Sequence, residues 1–122
     1  MTLFRVFFVV AFASVLVGCQ KPRPQVHTRY VPTAAEIASW PKTVDEAVTR
    51  LVTTMSDAEK IEVRDKKKTD LIEYHLNWGM GIRNEFGLRK GNTDLMADCH
   101  TQEPDEASMV IIEAVWQKLQ KP

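Results

Sequence analysis

The sequence predicts an all-α domain, a small bundle of four or five short helices behind a signal peptide and a proline-containing tether. Three observations carry this. From Trp40 onward, apolar residues recur at spacings of three and four, the period of one helix face. Residues that favour helix starts sit just ahead of those runs. No stretch alternates apolar and polar side chains with period two over the length of a strand. The β-branched run Val110-Ile111-Ile112 reads as a strand in isolation, but its flanks are helical.

Thr43 and Glu46 form a T-x-x-E capping box, in which side chains satisfy the free backbone donors of a helix start. Val44, Ala47, Val48, Leu51, Val52 and Met55 follow on one face of about three turns. Ser56 and Glu59 repeat the box and open a shorter helix through Arg64. Lys66-Lys67-Lys68 reads as an exposed connection. Thr69 then caps a helix that runs to Phe86, with Asp70 at the positive end of its dipole. Leu71, His75, Trp78, Ile82 and Phe86 share its inner stripe. Ile72, Leu76 and Met80 widen that stripe, which makes this helix the expected centre of the bundle. Gly87 suits a left-handed helix stop, with Leu88 packing back on the last turn. Gly91-Asn92 marks a turn, and Asn92 or Thr93 caps a short helix carrying Leu95 and Met96. Pro104 opens the final helix, with Glu103, Asp105 and Glu106 near its start and Met109 to Leu119 supplying its buried side.

With 122 residues, 44% of them apolar, the chain suits one small domain. Its 16 basic and 16 acidic residues cancel and alternate along the chain, which excludes the cationic footprint of a nucleic-acid binder. Residues 1–18 read as a lipoprotein signal peptide. Arg5 precedes Val6 to Val17, an apolar run too short for the roughly 20 residues a membrane-spanning helix needs. The run closes on Leu16-Val17-Gly18-Cys19, which resembles the lipobox of bacterial lipoproteins, with Cys19 the lipidated residue. That resemblance implies a diacylglyceryl group on the thiol and a second acyl chain, such as palmitate, on the new amine. Two chains give the stable anchoring that one does not. Gln20 after the cysteine favours the outer membrane in an organism with two. Residues 19–34 form the lipidated cysteine and tether, locally basic through Lys21, Arg23 and Arg29, and residues 35–122 the helical domain. Cys99 is then a lone thiol outside the reducing cytoplasm, read as buried and inert.

The stretch Leu71 to Asn92 holds four of the five glycines, although an interior helical glycine costs roughly 0.5–1 kcal/mol against alanine. Close packing or a site explains such a concentration. His75, Gly79 and Arg83 lie four residues apart. The missing side chain at Gly79 would leave a notch between an imidazole and a guanidinium, suited to a carboxylate, a phosphate or another backbone. Equally, Gly79 and Gly81 admit a second helix, and Arg83-Asn84-Glu85 forms a structural polar network. The candidate ligand or partner face is therefore His75, Gly79, Arg83, Asn84 and Glu85. No metal site is assigned, since His75, His100, Cys99 and Asp98 show no paired spacing. No cofactor fingerprint and no nucleophile motif is present.

Trp40-Pro41-Lys42-Thr43-Val44-Asp45-Glu46-Ala47, then Gly81-Ile82-Arg83-Asn84-Glu85-Phe86-Gly87-Leu88 with Gly91-Asn92, then Pro104-Asp105-Glu106-Ala107-Ser108 through Ile112 resemble an uncharacterised bacterial domain family. The resemblance covers Trp40 to Leu119 and implies small secreted, lipid-anchored or cytosolic proteins without an established activity. Arg89 stands where the resemblance leads one to expect an aromatic residue. Two function classes follow. The first is a lipid-anchored cell-envelope interaction module with a protein partner, such as an inhibitor, an immunity-type protein or an assembly subunit. The alternative is a small envelope hydrolase or anionic-ligand-binding protein that uses the His75–Arg83 face.

Overall fold

The computed structural model describes residues 29–122. The signal peptide, Cys19 and all but the last six residues of the 19–34 tether lie outside those residues. The described chain contains α1 (Ala34–Ser39), α2 (Val44–Thr54), α3 (Asp57–Asp65), a 3-10 helix (Lys68–Tyr74), α4 (Trp78–Glu85), α5 (Thr93–Asp98) and α6 (Pro104–Gln120), and no strand. The all-α class is as expected, with more and shorter pieces than the periodicity implied.

α1 begins where Thr33 and Glu36 close a complete capping box, and it buries no residue. With no inward face, it left no apolar period to read. The next residue with a buried side chain is Trp40, 7% exposed. At α2, Thr43 Oγ accepts the Glu46 amide at 3.2 Å. The return half of the predicted box is different: Glu46 accepts from the Lys42 amide at 2.7 Å. The Val44 amide donates instead to Asp98 at 2.6 Å, so the end of α5 helps to cap α2. The Ser56–Glu59 box at α3 is complete.

The predicted continuous helix from Thr69 to Phe86 is broken. Lys67, not Thr69, precedes its first piece and makes no side-chain cap. In the 3-10 helix, residues three apart eclipse one another, so Leu71 is buried and Tyr74 partly buried below it. The chain turns at His75–Asn77, and Asn77 starts α4 by accepting the Trp78 amide at 2.6 Å. Trp78, Ile82 and Phe86 keep their inward stripe. Ile72, Leu76 and Met80 do not widen it: they are 62%, 74% and 46% exposed. Glycines at 79 and 81 weaken the α-helical preference, and an outward apolar edge offers no burial to offset that.

α6 is the hub of the bundle. It packs against α2, α3, the 3-10 helix and α4, and Ala107, Ile111, Ile112 and Val115 are fully buried along it. Each large aliphatic buried this way contributes about 1.5–3 kcal/mol. Its far end also closes α3: Trp116 donates to the Lys66 carbonyl at 2.9 Å, and Gln120 to that of Arg64 at 2.8 Å.

The segment after α4 joins the two ends of the domain. Gly87 has φ +69°, and Leu88 donates back to the Arg83 carbonyl at 3.1 Å, the wide turn of a glycine helix stop. A Cβ at Gly87 would lie 2.3 Å from the Trp40 indole, so the ring rests directly on the backbone there. Asn92 is buried and uses its whole amide. It donates to the carbonyls of Pro41 at 2.8 Å and Phe86 at 2.7 Å, and it accepts the Leu95 amide to cap α5.

Candidate functional site

α4 crosses α6 at Gly79. A Cβ there would lie 3.1 Å from Arg83 Nη1, 3.3 Å from the Tyr74 carbonyl oxygen and 3.5 Å from Ser108 Oγ. The two readings of this glycine therefore describe one place. A second helix passes close by, and the space a side chain would take is filled by the guanidinium one turn on.

Arg83 is 3% exposed and its partners surround it. Nη1 donates to Ser108 Oγ at 2.9 Å, and Nη2 to the His75 carbonyl at 3.2 Å. Nε lies 3.2 Å from Asp105 Oδ1; its N–H is not aligned on that oxygen, so this contact is ionic. Ser108 passes the arrangement on by donating to the Asp105 carbonyl at 2.8 Å. Asp105 is half exposed and also accepts from Arg89 Nη2 at 2.7 Å. That bond, then the nearby charges of Arg83, Arg89 and His75, holds its carboxyl below the ordinary carboxylate range against the opposing effect of partial burial. His75 lies in the turn before α4. Its Nε2 is 3.9 Å from Asp105 Oδ2, and its Nδ1 is buried without a hydrogen bond.

The structure thus gathers His75, Gly79 and Arg83 from the predicted face. Asn84 and Glu85 stand apart on the exposed side of α4. It adds three residues that sequence reasoning did not place here: Asp105, assigned only to a helix start; Ser108; and Arg89, noted only as a departure from an aromatic. A signal for two of them was present, since Asp105 and Ser108 are three apart and share a face of α6. The anion that fits between His75 and Arg83 is the chain's own Asp105. Chemically the cluster ties α4 to α6 and brings Arg89 onto them. Its hydroxyl, Ser108, is fully buried and held between Arg83 and the Asp105 carbonyl.

Cys99 is buried, its thiol 3.8 Å from the Ala107 carbonyl. Burial, with a smaller effect of Asp98, pushes its pKa up to about 11. Among the described residues, no three His, Cys, Asp or Glu side chains are grouped to hold a metal ion, and no helix is long and apolar enough to cross a membrane.

What these features define is a small helical domain whose buried polar residues knit its helices together. Residues 40–119 match a family described as a domain of unknown function, DUF6794, and the chain belongs to that family. No curated protein and no solved structure matches the chain.

Proposed function

We propose that the protein is a lipid-anchored interaction module of the cell envelope, held at a membrane through acylated Cys19 and acting through a protein partner as an inhibitor, an immunity-type protein or an assembly subunit. The observation that carries this reading is the Leu16-Val17-Gly18-Cys19 box closing a short apolar run. In an organism with two membranes, the domain would sit on the periplasmic face of the outer one.

The use the fold makes of its polar groups supports a binding role over a catalytic one. Arg83 is engaged by Ser108 and Asp105, while Ile72, Leu76 and Met80 are left exposed, as apolar side chains at contact surfaces are. The alternative, a hydrolase or anion-binding protein on the His75–Arg83 face, needs Asp105 to leave the guanidinium it now neutralises.

Intact mass of membrane-extracted protein tests the anchor. The expected species starts at residue 19 and carries acyl chains; an unmodified chain starting at Met1, or a soluble chain cut elsewhere, overturns it. A photo-crosslinker at Leu76 tests the partner in intact cells. A discrete adduct that survives Arg83→Ala is expected. Loss of that adduct at unchanged stability would favour the anion-binding alternative.

A further inference from the structure

A cavity of about 260 Å³ opens between the end of α2, α3, the 3-10 helix and the start of α4. It is smaller than the roughly 300–1,000 Å³ of sites for drug-sized ligands, so it suits a group the size of one side chain. Two of its walls are aromatic. The rings of Tyr74 and Trp78 meet with centroids 5.5 Å apart and planes at 86°. Met55 and Val63 add apolar surface. Glu59 and Glu62 are the charged residues of the lining, which contains no basic group. Glu62 accepts from the Tyr74 hydroxyl at 3.3 Å, which fixes one carboxylate beside one ring.

We propose that this cavity is a binding site for an alkylammonium group, which would lie against the Tyr74 and Trp78 rings with Glu59 and Glu62 as counter-charges. Aromatic faces attract cations, and aromatic walls with nearby carboxylates are the chemistry that recognises substituted ammonium ions. The chain already places one cation in this position: Lys66 Nζ stands over the Tyr74 ring, 5.6 Å from its centroid. That ammonium is paired with Glu73 and does not line the cavity. Glu59 stays charged well into acid, because the Ser56 amide and hydroxyl bonded to it lower its pKa. Tyr74 stays neutral, because burial, with the nearby Glu62 charge, raises its pKa. At neutral pH Glu59 is therefore a fixed negative charge beside a neutral ring. The same chemistry fits a free quaternary amine or the lysine side chain of a protein.

The full chain in uncharged maltoside micelles, labelled with nitrogen-15, gives an indole signal for each tryptophan, and Trp78→Phe identifies the one at the cavity. Titration with choline and, separately, with Nα-acetyl-lysine methylamide distinguishes the two sources. At least one should shift the Trp78 signal saturably. The uncharged isostere 3,3-dimethyl-1-butanol should bind roughly tenfold more weakly than choline, and Glu62→Gln should weaken the better cation several-fold. Glu62 is exposed, so that variant should fold. Saturable binding of neither cation, equal binding of the uncharged isostere, or no effect of Glu62→Gln would each overturn the proposal.

Discussion

Gly79 and Gly81 are two residues apart in one helix and should answer substitution with opposite signs. A side chain at 79 meets the Arg83 guanidinium, the Tyr74 carbonyl and Ser108; the first is held by three partners and the second is backbone. Gly79→Leu should cost about 1–3 kcal/mol by overpacking, although leucine is the better helix former. Nothing lies within 4 Å of a Cβ at Gly81, so Gly81→Ala should stabilise by roughly 0.5–1 kcal/mol. Denaturant melts read both; a stabilised Gly79→Leu would mean that α4 and α6 do not meet there. Cys99 offers a second test at this scale. Burial with a pKa of about 11 leaves little thiolate near neutral pH, so a colorimetric disulfide reagent should react with it only on unfolding. Fast labelling of the native protein would contradict that packing.

Among the helices, what the sequence made legible depended on whether an element announced its own ends. α6 was legible from Pro104, α5 from Asn92, and the stop of α4 from Gly87, because each signal acts on backbone within a few residues. The break at His75–Asn77 was not. The inner stripe Leu71, His75, Trp78, Ile82 and Phe86 has nearly the spacing of one unbroken helix, and only the outward position of Ile72 and Leu76 separates the two cases. The His75–Arg83 cluster was half legible for a related reason: its α4 members share one local spacing, whereas Asp105 and Ser108 reach it through tertiary packing. Arg83→Ala tests that packing. Two hydrogen bonds and one ionic contact are lost, but Asp105 is half exposed and keeps Arg89, so the cost should be about 1–3 kcal/mol, below that of a fully buried pair. Unchanged stability would mean the cluster does not hold α4 to α6. The pH dependence has a defined sign. The folded pKa of Asp105 is depressed, chiefly by the Arg89 bond. Its contribution is therefore present above the unfolded value of about 3.9 and is lost as pH falls through the folded value. Arg89→Ala should lower stability modestly in the neutral region, where that contribution is present, and flatten the acid limb below about pH 4, the two curves converging as Asp105 protonates; an unaltered acid limb would remove Arg89 as the cause.

For the molecule as a whole, the position of Trp40 separates what the domain needs from what merely precedes it. α1 buries nothing. Its ties to the rest are exposed: the Ser39 carbonyl accepts from Arg50 at 2.7 Å, Tyr30 donates to Glu36, and Lys90 lies over the Tyr30 ring at 4.7 Å. Exposed contacts of this kind are worth a few tenths of a kcal/mol to about 1 each. Trp40, one residue beyond α1, is buried with its ring against Gly87, while the neighbouring Pro41 carbonyl receives Asn92. The core thus closes at Trp40, in agreement with a family match that begins at residue 40. A chain beginning at Arg29 should fold alone, with helical far-ultraviolet circular dichroism and one cooperative melt. Starting it at Ser39 instead keeps the Ser39 carbonyl for Arg50 and gives up, of these ties to the rest, only the exposed Lys90–Tyr30 contact, so it should cost no more than about 1 kcal/mol. Trp40→Ala in the longer chain should cost about 3–5 kcal/mol, because it opens a cavity over the Gly87 backbone on which the ring rests. If removing α1 proved as damaging as truncating Trp40, the first helix would be part of the core and the domain would begin before residue 34.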